Sequence, residues 1–176
     1  MSMIELPGVW EKGFAFDIHV INSIPDGTSP YGRMLFDTTR SMIGEALYQL
    51  KYNQKLESLD TIIETLNNSE EFIGFMKNID CIIPVPPTNK QRLIQPVIEI
   101  AKKLSERFGK LMYLNFVQST NTEQIKNIDK NEKEQRVKEH LVIKDFLDKD
   151  KKILVLDDLY DNGSTLSAIT KSRRPD

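Results

Sequence analysis

The sequence predicts an α/β fold, a parallel sheet with flanking helices, preceded by an N-terminal region of hairpin and helices. Three observations predict it. Two short apolar runs, residues 79–85 and 152–156, have the length and aliphatic content of buried strands. Between them Val97, Ile98, Ile100, Ala101, Leu104 and Phe108 recur at helical spacing, and Gly109 supplies a stop. After the second run, a loop with one glycine and two hydroxyls leads into another helix from Ser164. Strand and helix alternate, which is the order a parallel sheet with right-handed crossovers requires.

Taken in order, Phe14, Phe16, Ile18 and Val20 alternate with Ala15, Asp17 and His19, predicting a half-buried strand with residues 9–13 as its hairpin partner. Residues 24–30, Ile-Pro-Asp-Gly-Thr-Ser-Pro, are dense in turn formers and read as a loop. Helical spacing predicts one helix over about 34–50, through Leu35, Met42, Ile43, Ala46, Leu47 and Leu50. A second covers 56–66 and ends at Asn67-Asn68. Residues 111–117 read as another strand. Residues 121–152 hold 17 charged residues of nearly balanced sign, the composition of a solvated loop or surface helix, with a short strand at 140–143. The chain thus divides into an accessory region, 1–75, and an α/β domain, 76–176.

Composition narrows the function classes. With 176 residues, 39% of them apolar, there is material for one real core. A formal net charge of −2 gives no electrostatic reason for direct nucleic-acid or membrane-surface binding. No apolar run approaches the ~20 residues that span a bilayer, and the first residues lack the basic flank and apolar core of a signal peptide. One cysteine, Cys81, and two histidines supply neither an internal disulfide nor an ordinary zinc site. A soluble, cytoplasmic protein without a zinc site is expected.

The segment that carries chemistry is Ile153-Leu154-Val155-Leu156-Asp157-Asp158-Leu159-Tyr160-Asp161-Asn162-Gly163-Ser164-Thr165-Leu166. Ligands of open α/β sheets bind beyond the carboxyl ends of the strands, where these two acids stand. The loop from Asp161 to Thr165 can wrap N–H groups around an anion, and the helix N-terminus behind it adds about half a positive charge. Ser164 and Thr165 can donate to phosphate oxygens. Asp157 and Asp158 accept from sugar hydroxyls, directly or across Mg²⁺. A phosphate loop beside a diol-binding acid pair suits a sugar phosphate. Each residue taken singly is better explained by a strand end capped by two acids, with Asp161 or Ser164 as helix N-cap.

The whole string resembles the phosphoribosyl-pyrophosphate (PRPP) motif of type I phosphoribosyltransferases. Ile82-Ile83-Pro84-Val85-Pro86-Pro87 with Arg92 is similar to the strand and pyrophosphate loop of the ComF-type members, where a cis X–Pro bond is one way to fix the loop. Thr122-Glu123-Gln124 and Glu134-Gln135-Arg136-Val137 resemble the family's flexible hood, and Leu50-Lys51-Tyr52 the end of its N-terminal helix. On Lys51 the residues leave two roles open, facing the site or offsetting the helix dipole.

The resemblance implies a type I phosphoribosyltransferase-like fold and a Mg²⁺-dependent transferase of nucleotide metabolism that displaces pyrophosphate from PRPP, its acceptor unknown. It implies catalytic roles for Asp157, Asp158 and Arg136, and Mg²⁺ contacts for Asp157 and Asp158. Substrate contacts would come from Asp161, Asn162, Gly163, Ser164, Thr165, Pro86, Pro87 and Arg92. Gly163 is expected either in a conformation costly to other residues or lying against the ligand. The alternative is a non-catalytic PRPP-binding module associated with competence and DNA processing. A receiver-like phosphoacceptor domain is a weaker third reading. This chain lacks the family's cysteine-rich zinc module, and it ends where the family continues with a further helix and strand. The 153–156 strand is therefore expected at a sheet edge, favouring a homo-oligomer, a partner or aggregation there.

Overall fold

The chain begins with two small antiparallel pairs, β1 (Ile4–Glu5) with β2 (Phe14–Ala15), and β3 (Val20–Thr28) with β4 (Met34–Arg40). A computed structural model describes residues 3–87, 89, 91–119, 141–143 and 150–173. The strand expected over Phe14 to Val20 is split. Its first residues pair with Ile4–Glu5 rather than with 9–13, which instead turn around Trp10; Leu6 N–H donates to the Gly13 carbonyl at 2.8 Å. The expected loop at 24–30 is also strand as far as Thr28. Pro25 is tolerated because the two-stranded ribbon has open edges, and the register shifts between Pro25 and Thr28, where Gly27 has φ 80°. The reversal itself is at Ser29 to Arg33, where the Arg33 N–H donates to Ser29 Oγ at 3.0 Å.

Helix α1 (Met42–Tyr52) starts eight residues later than the spacing suggests, because Ser41 caps it through the Gly44 N–H at 3.0 Å. The preceding Met-Leu-Phe-Asp-Thr-Thr-Arg is rich in β-branched and aromatic residues and extends as β4. Helix α2 (Ser58–Asn67) follows the expected span. A third helix, α3 (Glu70–Lys77), capped by Ser69, was not expected from the sequence.

The remaining elements are β5 (Cys81–Pro84), α4 (Pro96–Phe108), β6 (Leu111–Met112), β7 (Val117–Ser119), β8 (Leu141–Ile143), β9 (Ile153–Leu156) and α5 (Ser164–Arg173). The single strand expected at 111–117 is two, β6 in the sheet and β7 paired antiparallel with β8. The three-stranded sheet is parallel, in the order β6-β5-β9, and among the described residues β9 has a neighbour on one side only. All four residues of β5 are buried. Ile82, Leu154 and Leu156 face a core built with α1, α2, α3 and α4 from Leu47, Leu50, Leu59, Phe72, Met76 and Leu104. Ile83, Ile153 and Val155 face the other way, against Ile169 and Leu166 of α5. Helices therefore cover both faces, and the larger core draws on residues from both sides of position 75. The β3–β4 ribbon stands outside it, with Ile21, Ile24, Met34, Leu35 and Phe36 exposed. No described helix is long and apolar enough to cross a membrane.

Candidate functional site

Strands β5 and β9 run side by side in register, Cys81 with Ile153 through Pro84 with Leu156. Val85 N–H continues the ladder to the Leu156 carbonyl at 2.8 Å. Both chains thus leave the sheet at the same level. One continues as Pro86-Pro87, the other as Asp157-Asp158. The sheet topology, with neighbours consecutive in space but 72 residues apart in sequence, sets the two loops beside each other at the carboxyl edge, where α/β sheets hold ligands.

Asp157 and Asp158 are half-buried. Oδ1 of Asp157 accepts the Asp158 N–H at 2.9 Å, which folds the first carboxylate over its own backbone. Oδ2 of Asp158 lies 2.8 Å from Nζ of Lys51. Lys51 reaches the mouth of β9 while also being the basic residue in the last turn of α1, so both roles open to it are compatible with the structure. The end of α1 also reaches the other loop. The Arg92 guanidinium lies 5.7 Å from the Tyr52 ring centroid, and Gln54, in a left-handed conformation at φ 55°, accepts the Ile94 N–H through Oε1 at 2.7 Å. Gln95 Nε2 donates to the carbonyls of Asn89 and Arg92, at 2.9 Å each, fixing the loop before α4. All described peptide bonds are trans, so Pro86 and Pro87 shape their loop without a cis bond.

Gly163 is buried with φ 71°, the left-handed conformation expected of it. Its carbonyl accepts the Ser167 N–H at 2.8 Å and so opens α5. The Asn162 side chain accepts the Ser164 N–H at 3.0 Å, so one of the amides expected to face an anion is already engaged. Ser164 Oγ is buried and has no hydrogen-bond partner among the described residues. Thr165 is half-buried, and Asp161 and Asn162 are exposed. Arg136, given a catalytic role by the resemblance, lies outside the described residues, as do Thr122 to Gln124.

Sequence reasoning missed three contributors. Trp10 and Tyr160 both pack against Gly163: a Cβ there would lie 2.9 Å from Tyr160 Oη and 3.2 Å from Trp10 Cη2. His19 lies close enough to Asp158 to feel its charge, and its buried Nδ1 has no hydrogen-bond partner among the described residues. Burial holds its pKa below the ordinary value, helped by the positive charges of Arg40 and Lys51 and opposed by Asp158 and Glu45. Arg40 in turn stacks 3.8 Å from the Tyr48 centroid and lies 3.4 Å from Glu45. Chain-remote contacts of this kind leave no mark in local spacing.

A resident Mg²⁺ does not fit this donor set. No group of three or more His, Cys, Asp or Glu converges among the described residues, and Asp158 already faces an ammonium. The arrangement is suited to accepting hydroxyl hydrogen bonds at the acids and to holding an anion at the start of α5. Fold and site together define an α/β protein with a parallel sheet and a polar site at its carboxyl edge. No family model, curated protein or solved structure matches the chain.

Proposed function

We propose that the chain is a type I phosphoribosyltransferase of the ComF kind, taking PRPP with its Mg²⁺ as substrate and passing the phosphoribosyl group to an acceptor. One observation carries the reading: the acid pair ending β9 runs through a left-handed glycine into the N-terminus of α5, beside the Pro86-Pro87 loop from the adjacent parallel strand. Asp157 and Asp158 accept the ribose hydroxyls, and Lys51 keeps the Asp158 carboxylate oriented. The 5′-phosphate lies at residues 161–165, against the amides and hydroxyls that open α5. The pyrophosphate lies toward Pro86, Pro87 and Arg92, with Arg136 as a further basic contact. The metal travels with the pyrophosphate, so no protein cage for it is needed.

The acceptor's lone pair forms the new bond to C1 of the ribose as the bond to pyrophosphate breaks. Charge spreads over an oxocarbenium-like ring and a departing anion, so positioning and electrostatics supply the rate, and no side-chain nucleophile is called for. Calorimetric titration with PRPP and Mg²⁺, followed by pyrophosphate release over a panel of bases and amines, tests the reading. Asp157→Asn and Asp158→Asn should each weaken binding by about 1–3 kcal/mol. Binding without pyrophosphate release selects the non-catalytic module, and absence of binding removes both.

A further inference from the structure

The indole of Trp10 is held on one side by its own hairpin. Its Nε1–H donates to the Leu6 carbonyl at 2.9 Å. A Cβ at Gly8 or at Gly13 would overlap the ring, so both positions have to be glycine for the indole to seat. The hairpin is fixed in turn to α3. Met3 N–H donates to Glu71 Oε2 at 2.9 Å, Phe14 meets Phe75 edge-to-face at 5.6 Å, and Phe16 meets Phe72 at 6.0 Å. The free edge of the ring touches the turn between β9 and α5, 3.2 Å from the β-position of Gly163. That turn carries a left-handed φ of 71° and a buried glycine, on a loop otherwise exposed at Leu159, Asp161 and Asn162.

We infer that Trp10 is a positioning residue for the 157–165 loop, holding the left-handed turn at Gly163 and thereby the direction in which the first amides of α5 point. Tyr160 closes the same turn from the other side, its Oη 2.9 Å from that β-position. The N-terminal hairpin is on this account a wall of the site. A ligand phosphate approaches from the face the indole leaves open, and that part of the inference rests on the phosphoribosyl reading. The holding of the turn does not.

Hydrogen–deuterium exchange on the full chain without ligand tests it, comparing wild type, Trp10→Ala and Trp10→Phe. Trp10→Ala should speed exchange across 159–166 at least tenfold and leave α4 unchanged, with Trp10→Phe restoring most of the protection. Unchanged exchange at 159–166, or an equal rise throughout α4, overturns the inference. PRPP with Mg²⁺ is then titrated against wild type, following the emission of this sole tryptophan and heat in parallel. A loosened loop in Trp10→Ala with no PRPP binding to wild type upholds the positioning role and removes the phosphoribosyl reading. Binding together with a loop indifferent to Trp10→Ala does the reverse.

Discussion

The ammonium nitrogen of Lys51 and Oδ2 of Asp158 stand 2.8 Å apart, with side chains only 18% and 14% exposed. The last turn of α1 is thereby tied to the mouth of β9. Away from bulk water such a contact is screened little by salt, and removing one partner leaves the other charge poorly solvated.

Lys51→Met should therefore destabilise the fold by about 1–3 kcal/mol, read from urea unfolding. Asp158→Asn in the same background should recover part of that loss. A double-mutant cycle with no coupling between the two positions would show that the pair holds nothing.

Two helical glycines should respond to alanine with opposite signs. At Gly44, in α1, a Cβ would run into the backbone carbonyl of His19, whereas at Gly74, in α3, it would meet nothing within 4 Å. Gly44→Ala should lose about 1–3 kcal/mol through overpacking against backbone. Gly74→Ala should gain about 0.5–1 kcal/mol from reduced chain entropy. Melting temperatures of the two variants decide it: a Gly44→Ala variant as stable as wild type would refute the close approach of α1 to His19, and a destabilised Gly74→Ala would refute the open space at α3.

Gly163→Val should lower stability by about 1–3 kcal/mol, since a β-branched residue is strained at φ 71° and its side chain meets Tyr160 and Trp10. If the phosphoribosyl reading holds, the variant also loses PRPP binding by calorimetry while its far-ultraviolet dichroism stays native.

His19 makes stability depend on pH. Its folded pKa is lowered from 6.5 mainly by burial, then by Arg40 and Lys51, against the opposing pull of Asp158 and Glu45. The unfolded chain then binds the proton more readily. The contribution is complete above pH 6.5 and is lost as the pH falls through the lower folded value. His19→Gln should flatten the dependence that sets in as the pH falls below about 6.5. An unaltered slope would assign the loss to carboxylates instead.

The sheet was legible because β5 and β9 are apolar runs, and continuous apolar runs of four or five residues have few other uses. The acid pair and Gly163 were legible because the loop compresses its chemistry into adjacent positions. The ribbon was not: Pro25, Gly27 and Asp26 read as a turn, and only an open-edged hairpin accommodates them in strands. Nor was the start of α1, since Leu35 continues the helical spacing of Met42 and Ala46 although it is exposed on β4. Trp10 and His19 escaped notice as neighbours of the site because their partners lie far along the chain, where periodicity carries no information.

The register of β5 on β9 also has a kinetic side. At its foot the Asp80 N–H donates to the Lys152 carbonyl at 2.8 Å, and the Lys152 N–H returns to Asp80 Oδ2 at 2.7 Å, across 72 residues. Closing so long a loop costs chain entropy before any strand contact offsets it. The helices α1 to α3, linked by short connections, can form and dock first, while the loops at 86–87 and 157–158 meet only when that closure is made. Ligand recognition therefore arrives late in folding, and a chain arrested before β9 docks has most of its helix but none of its site.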